Sequence, residues 1–384
     1  MRLKQLVFGL GLMLASACAA AVPAAAAGTD CPLARAPYST RTPLIDLMID
    51  PRTKAILDKE LGGTLSRMPA QFISTTPPSF AAIITVKELL GMSGAKDSAA
   101  TLARLDDELK AVPITPEAIT ARCARYDEVQ PKLPTMLATS AHPRILVFDK
   151  INGFRDAPSV EAASAALKAM GARRHWTLLF HDNGAIFNSR DLAQFDAVVW
   201  NNVSGDVLTL PQRAALKAYI AKGGGFAAFH GSGGDPSYFW DWYVDTLIGA
   251  RFIGHTGSPQ FQQGRVVVDD KKSAITRGLG DEWSMTEEWY SFAASPRKTG
   301  AHILVTLDEA SYKPEGYGTQ DLRMGDHPLA WTQCIGNGRS FYSAIGHRAE
   351  SYTEPHSVEL LEQGIAWAAG RGETVCRNGV ERPR

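Results

Sequence analysis

Four short apolar runs, RILVFDK, HWTLLFHD, FDAVVWNN and GFAAFHG, recur between residues 144 and 231 with helix-like segments set between them. No other feature constrains the fold as strongly. Runs this short and this uniformly apolar suit strands buried on both faces, and strands separated by helices cannot pair as hairpins, so the pattern predicts a parallel, doubly wound α/β sheet. SVEAASAALKAMG and TLPQRAALKAYIAKGGG read as the intervening helices, each stopped by glycine. Beyond Gly264 the runs RVVVDD, HILVTLD, PLAWTQ and RSFYSAIG follow one another without helices. They are expected to extend the sheet antiparallel before SVELLEQGIAWAAG closes as a helix.

The flanks read differently. Residues 28–129 carry apolar positions at three- and four-residue spacing, as in TKAILDKEL and AATLARLDDELKAV, and Thr115 followed by Pro116 marks a helix start. They are expected to form a helical accessory region, followed by a linker over 130–143, the α/β domain over 144–370 and a tail over 371–384. Residues 1–27 have the charged start, apolar middle and small-residue end of a secretory signal peptide, which places the mature chain in the periplasm or outside the cell. Once Cys18 leaves with the signal, four cysteines remain, and local pairing gives Cys31–Cys123 and Cys334–Cys376 among three connectivities. With 40 basic and 40 acidic residues there is no broad charge field for nucleic acid or an anionic membrane surface, and no membrane span is expected in the mature chain. A small neutral ligand is the default partner.

Ligands of open α/β sheets lie beyond the carboxyl ends of the strands. In this chain those ends carry Asp149 and Lys150, His181 and Asp182, Asn201 and Asn202, and His230. The last sits in GGGFAAFHGSGG, where the glycines allow a sharp turn and leave amide groups for an anion or oxyanion. A cysteine nucleophile is missing near the turn, and an oxyanion-hole reading of HGSGG requires a G-x-S-x-G elbow that the chain lacks. A histidine acting as base or metal ligand remains, against the plainer reading of a hydrogen-bonded structural residue. Two further histidines stand beside glycine, His255 in ARFIGHTG and His347 in FYSAIGHRAE, and TEEWYSF adds Glu287 and Glu288. No local spacing resembles HExxH.

These motifs, together with ILVFDKINGFRD and HPLAWTQCIGNGRSFYSAIGH, resemble the trehalose-utilisation (ThuA-like) proteins over about residues 144–370. The resemblance implies a flavodoxin-like, mostly parallel sheet of the class I glutamine amidotransferase type without its nucleophile, and a role in carbohydrate metabolism. His230, His255, Glu288 and His347 fall on the family's motif positions. Asp156 departs from the pattern, since the family usually has histidine where this chain reads Gly-Phe-Arg-Asp. The resulting expectation is an exported enzyme acting on a sugar, glycoside or keto-sugar as a hydrolase, lyase or isomerase. His230, His347, Glu288 and Asp156 would be catalytic, and Arg155, His255, Asn201 and Tyr290 would bind substrate. A divalent metal such as zinc, nickel or manganese would sit on His230, His255 and His347 at the carboxyl edge of the sheet. The alternative is a non-catalytic carbohydrate-binding protein, with Tyr238, Phe239, Trp240, Trp242 and Tyr243 stacking on a sugar. Their helical spacing favours core packing.

Overall fold

A computed structural model of the chain describes residues 30–94 and 98–383, so the expected signal peptide lies outside the described residues. The N-terminal part is helical: α1 (Leu44–Ile49), α2 (Pro51–Leu65), α3 (Ala70–Ile73), α4 (Val86–Ser93), α5 (Ser98–Lys110) and α6 (Pro116–Cys123). Start signals in the sequence act as such. Asp50 caps α2, Thr85 and Glu88 form a capping box on α4, and the Thr115 hydroxyl accepts the Ala118 amide at the start of α6. Leu44, Leu57, Ile84, Val86, Leu89 and Leu105 build an apolar core of this region's own.

Parallel strands follow: β1 (Arg144–Phe148), β2 (Thr177–His181), β3 (Ala197–Trp200) and β4 (Gly225–Phe229), with helices α7 (Ala157–Arg174), α8 (Ser189–Leu192) and α9 (Leu210–Ala221) between them. The rest comprises β5 (Phe252–His255), β6 (Phe261–Val268), β7 (Glu282–Glu288), β8 (Tyr290–Phe292), β9 (His302–Asp308), β10 (Pro328–Ile335), β11 (Gly338–Ser343), α10 (Pro355–Ala368), β12 (Thr374–Arg377) and β13 (Val380–Pro383). Nine strands form one sheet in the order β2-β1-β3-β4-β11-β10-β9-β6-β7, and β5 pairs with β8 apart from it. The α/β class and the doubly wound parallel half are as the periodicity predicts.

Three details differ from expectation. Strand β11 runs parallel to β4, Arg339 opposite Gly225 and Ser343 opposite Phe229, rather than antiparallel. The tight turn between β10 and β11 reverses the chain and returns it beside β4, so the residues after both strands emerge at the same edge. Helix α7 continues past Gly171 to Arg174 and ends on His175 in the left-handed region. Gly171 serves packing instead, because a Cβ there would stand 2.7 Å from Leu178 Cδ1. Residues 371–384, expected as a tail, contain the antiparallel hairpin β12–β13, which the Cys334–Cys376 disulfide ties to β10. The second disulfide is Cys31–Cys123, so both expected pairings are present, with Cα atoms 5.4 Å apart in each. No helix among the described residues is long and apolar enough to cross a membrane.

The antiparallel half curves. Glu288 at the end of β7 lies five strands from β4 in sheet order, which on a flat sheet is about 24 Å at 4.8 Å per strand. Its carboxylate nevertheless lies 3.2 Å from His230. Curling of β6 and β7 back over the carboxyl edge closes that distance.

Candidate functional site

His230 is the first residue past β4 and holds a left-handed backbone, φ +31°, which a residue with a Cβ adopts at a cost of order 1–3 kcal/mol. Surrounding bonds hold it there. Tyr342 donates its hydroxyl to the His230 carbonyl at 2.9 Å, and His230 Nδ1 lies 2.7 Å from the Ala344 carbonyl. A carbonyl only accepts, so Nδ1 carries a hydrogen and Nε2 is the nitrogen turned toward Glu288 and His347. The glycines that follow allow close packing: a Cβ on Gly233 or Gly234 would stand 2.4 Å from the hydroxyl of Tyr342 or Tyr290. The Gly231 amide, expected to be free for an anion, donates to Asn202 Oδ1 at 3.1 Å.

His347 follows β11 and Gly346. The latter has φ +139° and would place a Cβ 2.4 Å from Tyr352 Oη, so no other residue fits without displacement. Glu287, fully buried, organises this loop by accepting from the amides of Gly346, Arg348 and Glu288 and from the Ser351 hydroxyl. Its neighbour Glu288 points elsewhere. Glu288 Oε2 is 3.0 Å from His347 Nδ1 and 3.2 Å from His230 Nε2, and the two ring nitrogens are 3.1 Å apart. Three potential ligand atoms thus form a nearly equilateral triangle. Glu288 Oε1 receives Gln260 Nε2 and lies 3.1 Å from His255 Nδ1.

Burial pushes the Glu288 carboxyl up, but hydrogen bonds from His230 and His347 and the charges of His230 and His255 outweigh it and hold the group well below the carboxylate range. Burial lowers His347, yet its hydrogen bond to Glu288 and the charges of Glu288, Glu287 and Asp156 leave it raised.

A family model described as trehalose utilisation, ThuA, matches residues 144–368. The chain belongs to the ThuA family. A ThuA-like protein from Bacteroides uniformis shares the fold at 22% identity and TM-score 0.51, over 63% of this chain and 97% of its own. A second ThuA-like protein, from Parabacteroides merdae, aligns at 15% identity and TM-score 0.43, over 60% of this chain and 91% of its own. No curated protein matches the chain.

Within this ThuA domain the residues singled out from the sequence separate into two groups. His230, Glu288 and His347 converge, and among the described residues they form a set able to hold a metal ion. His255 contacts the other oxygen of the same carboxylate: its Nδ1 faces the Thr256 carbonyl at 2.9 Å and Glu288 Oε1 at 3.1 Å, while the grouped donor atoms come from His230, Glu288 and His347. Tyr290 is buried with its ring centroid 3.9 Å from that of His230, forming the floor under the imidazole. Asp156 caps α7 by accepting the Ser159 amide at 3.0 Å.

The remaining candidates lie apart from the cluster. Asn201 is fully buried and spends its amide on the Val160 carbonyl and Ser164 hydroxyl, which anchors α7. Arg155 is exposed beside Asp149, Lys150 and Asp182 around a separate cavity of about 480 Å³. Tyr238, Trp240 and Tyr243 pack with Trp200 and Arg213; the expected packing is present, but residues 238–240 lie outside any helix, so helical spacing is not what brings these rings together. Glu287, Gln260, Asn202 and Ala344 escaped the sequence reading in their present roles. TEEW was the only trace of the first, because adjacent carboxylates on a strand must face opposite sides.

Proposed function

We propose that this protein is an exported carbohydrate-active enzyme whose reaction centre is His230, Glu288 and His347 around a divalent metal ion. One observation carries the reading: three donor atoms stand 3.0, 3.1 and 3.2 Å apart. Ligands at about 2.1 Å from one ion and about 95° apart would have that spacing, with the remaining coordination positions on one side left for substrate. The donor set also suits the ion. His230 has its second nitrogen tied to a carbonyl, as metal-binding imidazoles do, and the carboxylate is oriented by Gln260 through its other oxygen.

When bound, such a metal polarises a carbonyl or hydroxyl oxygen of the substrate. The chain's own residues would do the rest. His255 Nδ1 faces two acceptors, Thr256 O and Glu288 Oε1, so Nε2 is its basic nitrogen and takes or returns the proton of the reacting group. Tyr290 and the glycine loop exclude water below His230. Carbohydrate as substrate class rests on membership of a family described as trehalose utilisation. Export rests on the signal-like first 27 residues and on two disulfides, which persist in oxidising compartments.

The test is metal stoichiometry of the exported protein by elemental analysis, together with turnover of a panel of glycosides and 3-keto-glycosides before and after chelation. About one ion per chain, lost in His230→Ala and His347→Ala, and turnover that chelation stops are expected. Full turnover in metal-free protein would remove the metal from the mechanism. No turnover of any member of the panel, with sugar still bound, would favour a carbohydrate-binding protein.

A further inference from the structure

Among the described residues few large apolar side chains stand exposed, and several of them surround one cluster. Phe154 is 37% exposed with its ring centroid 6.2 Å from His347 and 29° from parallel. Phe261 is 39% exposed, 5.3 Å from His347 on an edge-to-face approach. Tyr317 is 62% exposed, edge-on to His255 at 5.4 Å. Each comes from a different segment: Phe154 from the loop after β1, Phe261 from the start of β6, and Tyr317 from the turn after β9. Isolated exposed apolar residues need no explanation, but three rings gathered around one buried polar cluster do.

We propose that Phe154 and Phe261 form the wall on which the carbon-rich face of a pyranose ring stacks, with Tyr317 at the rim beside His255. The proposal rests on the carbohydrate reading above and assigns the residues that would select a ring. A pyranose presents C–H groups on its faces and hydroxyls at its edge, so it needs flat apolar surfaces beside a polar floor. Here the floor is the His230, Glu288 and His347 triangle.

The geometry extends the site into the N-terminal helical region. Phe80 lies 5.0 Å from Phe154, and Phe72 stacks on Phe80 at 4.5 Å and 17°. A continuous file of rings, Phe72, Phe80, Phe154 and His347, therefore runs from that region to the cluster. The loop bearing Phe154 is clamped from both sides. Ser79 donates its amide to Asn152 O at 3.0 Å, Ser204 Oγ accepts the Phe154 amide at 3.0 Å, and a Cβ on Gly153 would stand 2.5 Å from Ile83 Cγ2. Phe80 is therefore a positioning residue for Phe154, and the helical region is part of the ligand site.

The experiment measures binding of trehalose, methyl glucosides and open-chain glucitol to the full mature chain by calorimetry, with metal content measured in parallel. Phe154→Ala and Phe261→Ala are expected to raise Kd for the cyclic sugars about tenfold each without changing metal stoichiometry. Phe154→Trp should retain binding, and its emission should change on sugar addition but not on glucitol. Phe80→Ala should raise Kd about threefold, and Phe80→Tyr should restore it, which a purely structural role in the helical core would not require. Unchanged Kd in both alanine variants overturns the wall alone. Failure of the wild type to bind any sugar overturns the wall and the carbohydrate reading together, while retained metal would still support the triangle.

Discussion

The two halves of the sheet use polar residues at the carboxyl edge in different ways. On the parallel side they mostly hold backbone. Asn201 anchors α7, Asn202 takes the Gly231 amide, and Asp235 accepts from the Ser204 hydroxyl and the Gly205 amide. His230 alone among the residues ending β3 and β4 is left with a nitrogen aimed at the cluster. On the curled antiparallel side the division runs between neighbours: Glu287 binds the loop that carries His347, and Glu288 faces the two imidazoles. A polar residue at a strand end therefore marks the edge of the site, while its hydrogen bonds decide whether anything remains for chemistry.

The strongest test of that contrast substitutes each of the two glutamates. Glu288→Gln should abolish metal retention and reduce turnover about 1000-fold, because a ligand and its charge are lost. Glu287→Gln should instead destabilise the fold by about 4 kcal/mol, since an amide nitrogen would be forced against donors that now meet a buried carboxylate. Denaturation curves and metal analysis on both variants decide it. If the two behaved alike, the division between neighbours would be broken.

A second prediction concerns the parallel side. Burial raises Asp235 to about 7 against the pull of Ser204 and Gly205. The folded state then holds a proton that the unfolded chain releases near pH 4, so this group favours unfolding progressively as pH rises from about 4 to about 7, and its contribution levels off above that. The wild type should lose roughly 3 to 4 kcal/mol across this window relative to Asp235→Asn, as measured by urea denaturation at several pH values. A constant difference between the two proteins would mean that Asp235 is already ionised at low pH.

The smallest effect is expected at the terminal hairpin. Cys334→Ser with Cys376→Ser should cost about 2 to 4 kcal/mol, since the bridge closes a 42-residue separation. Metal content should not change, because the disulfide lies on β10 and β12, away from the cluster. Loss of metal in this variant would show that the hairpin supports the site as well as the sheet.

Periodicity and caps were enough to establish the α/β class, the parallel order of alternating strands and helices and the helical N-terminal region, and an even cysteine count with local pairing pointed to the two disulfides the structure contains. These follow from local information: side-chain period, helix start signals and the parity of four cysteines. The histidines were also legible as candidates because they stand beside glycines at strand ends, and Glu288 through the TEEWYSF motif of the family resemblance. What each does was set by contacts between residues far apart in the chain. The direction of β11 puts His347 beside His230, where an antiparallel strand would have sent it to the opposite edge. Curling of β6 and β7 delivers Glu288 across five strands. Asn201 and Asp156, equally polar and equally well placed by sequence, are committed to helix α7 instead. The physical reason is that a side chain's chemistry depends on its unpaired hydrogen-bonding atoms. Partners 28 to 117 residues away, such as Gln260 for Glu288 and His347 for His230, leave no pattern in the neighbouring sequence.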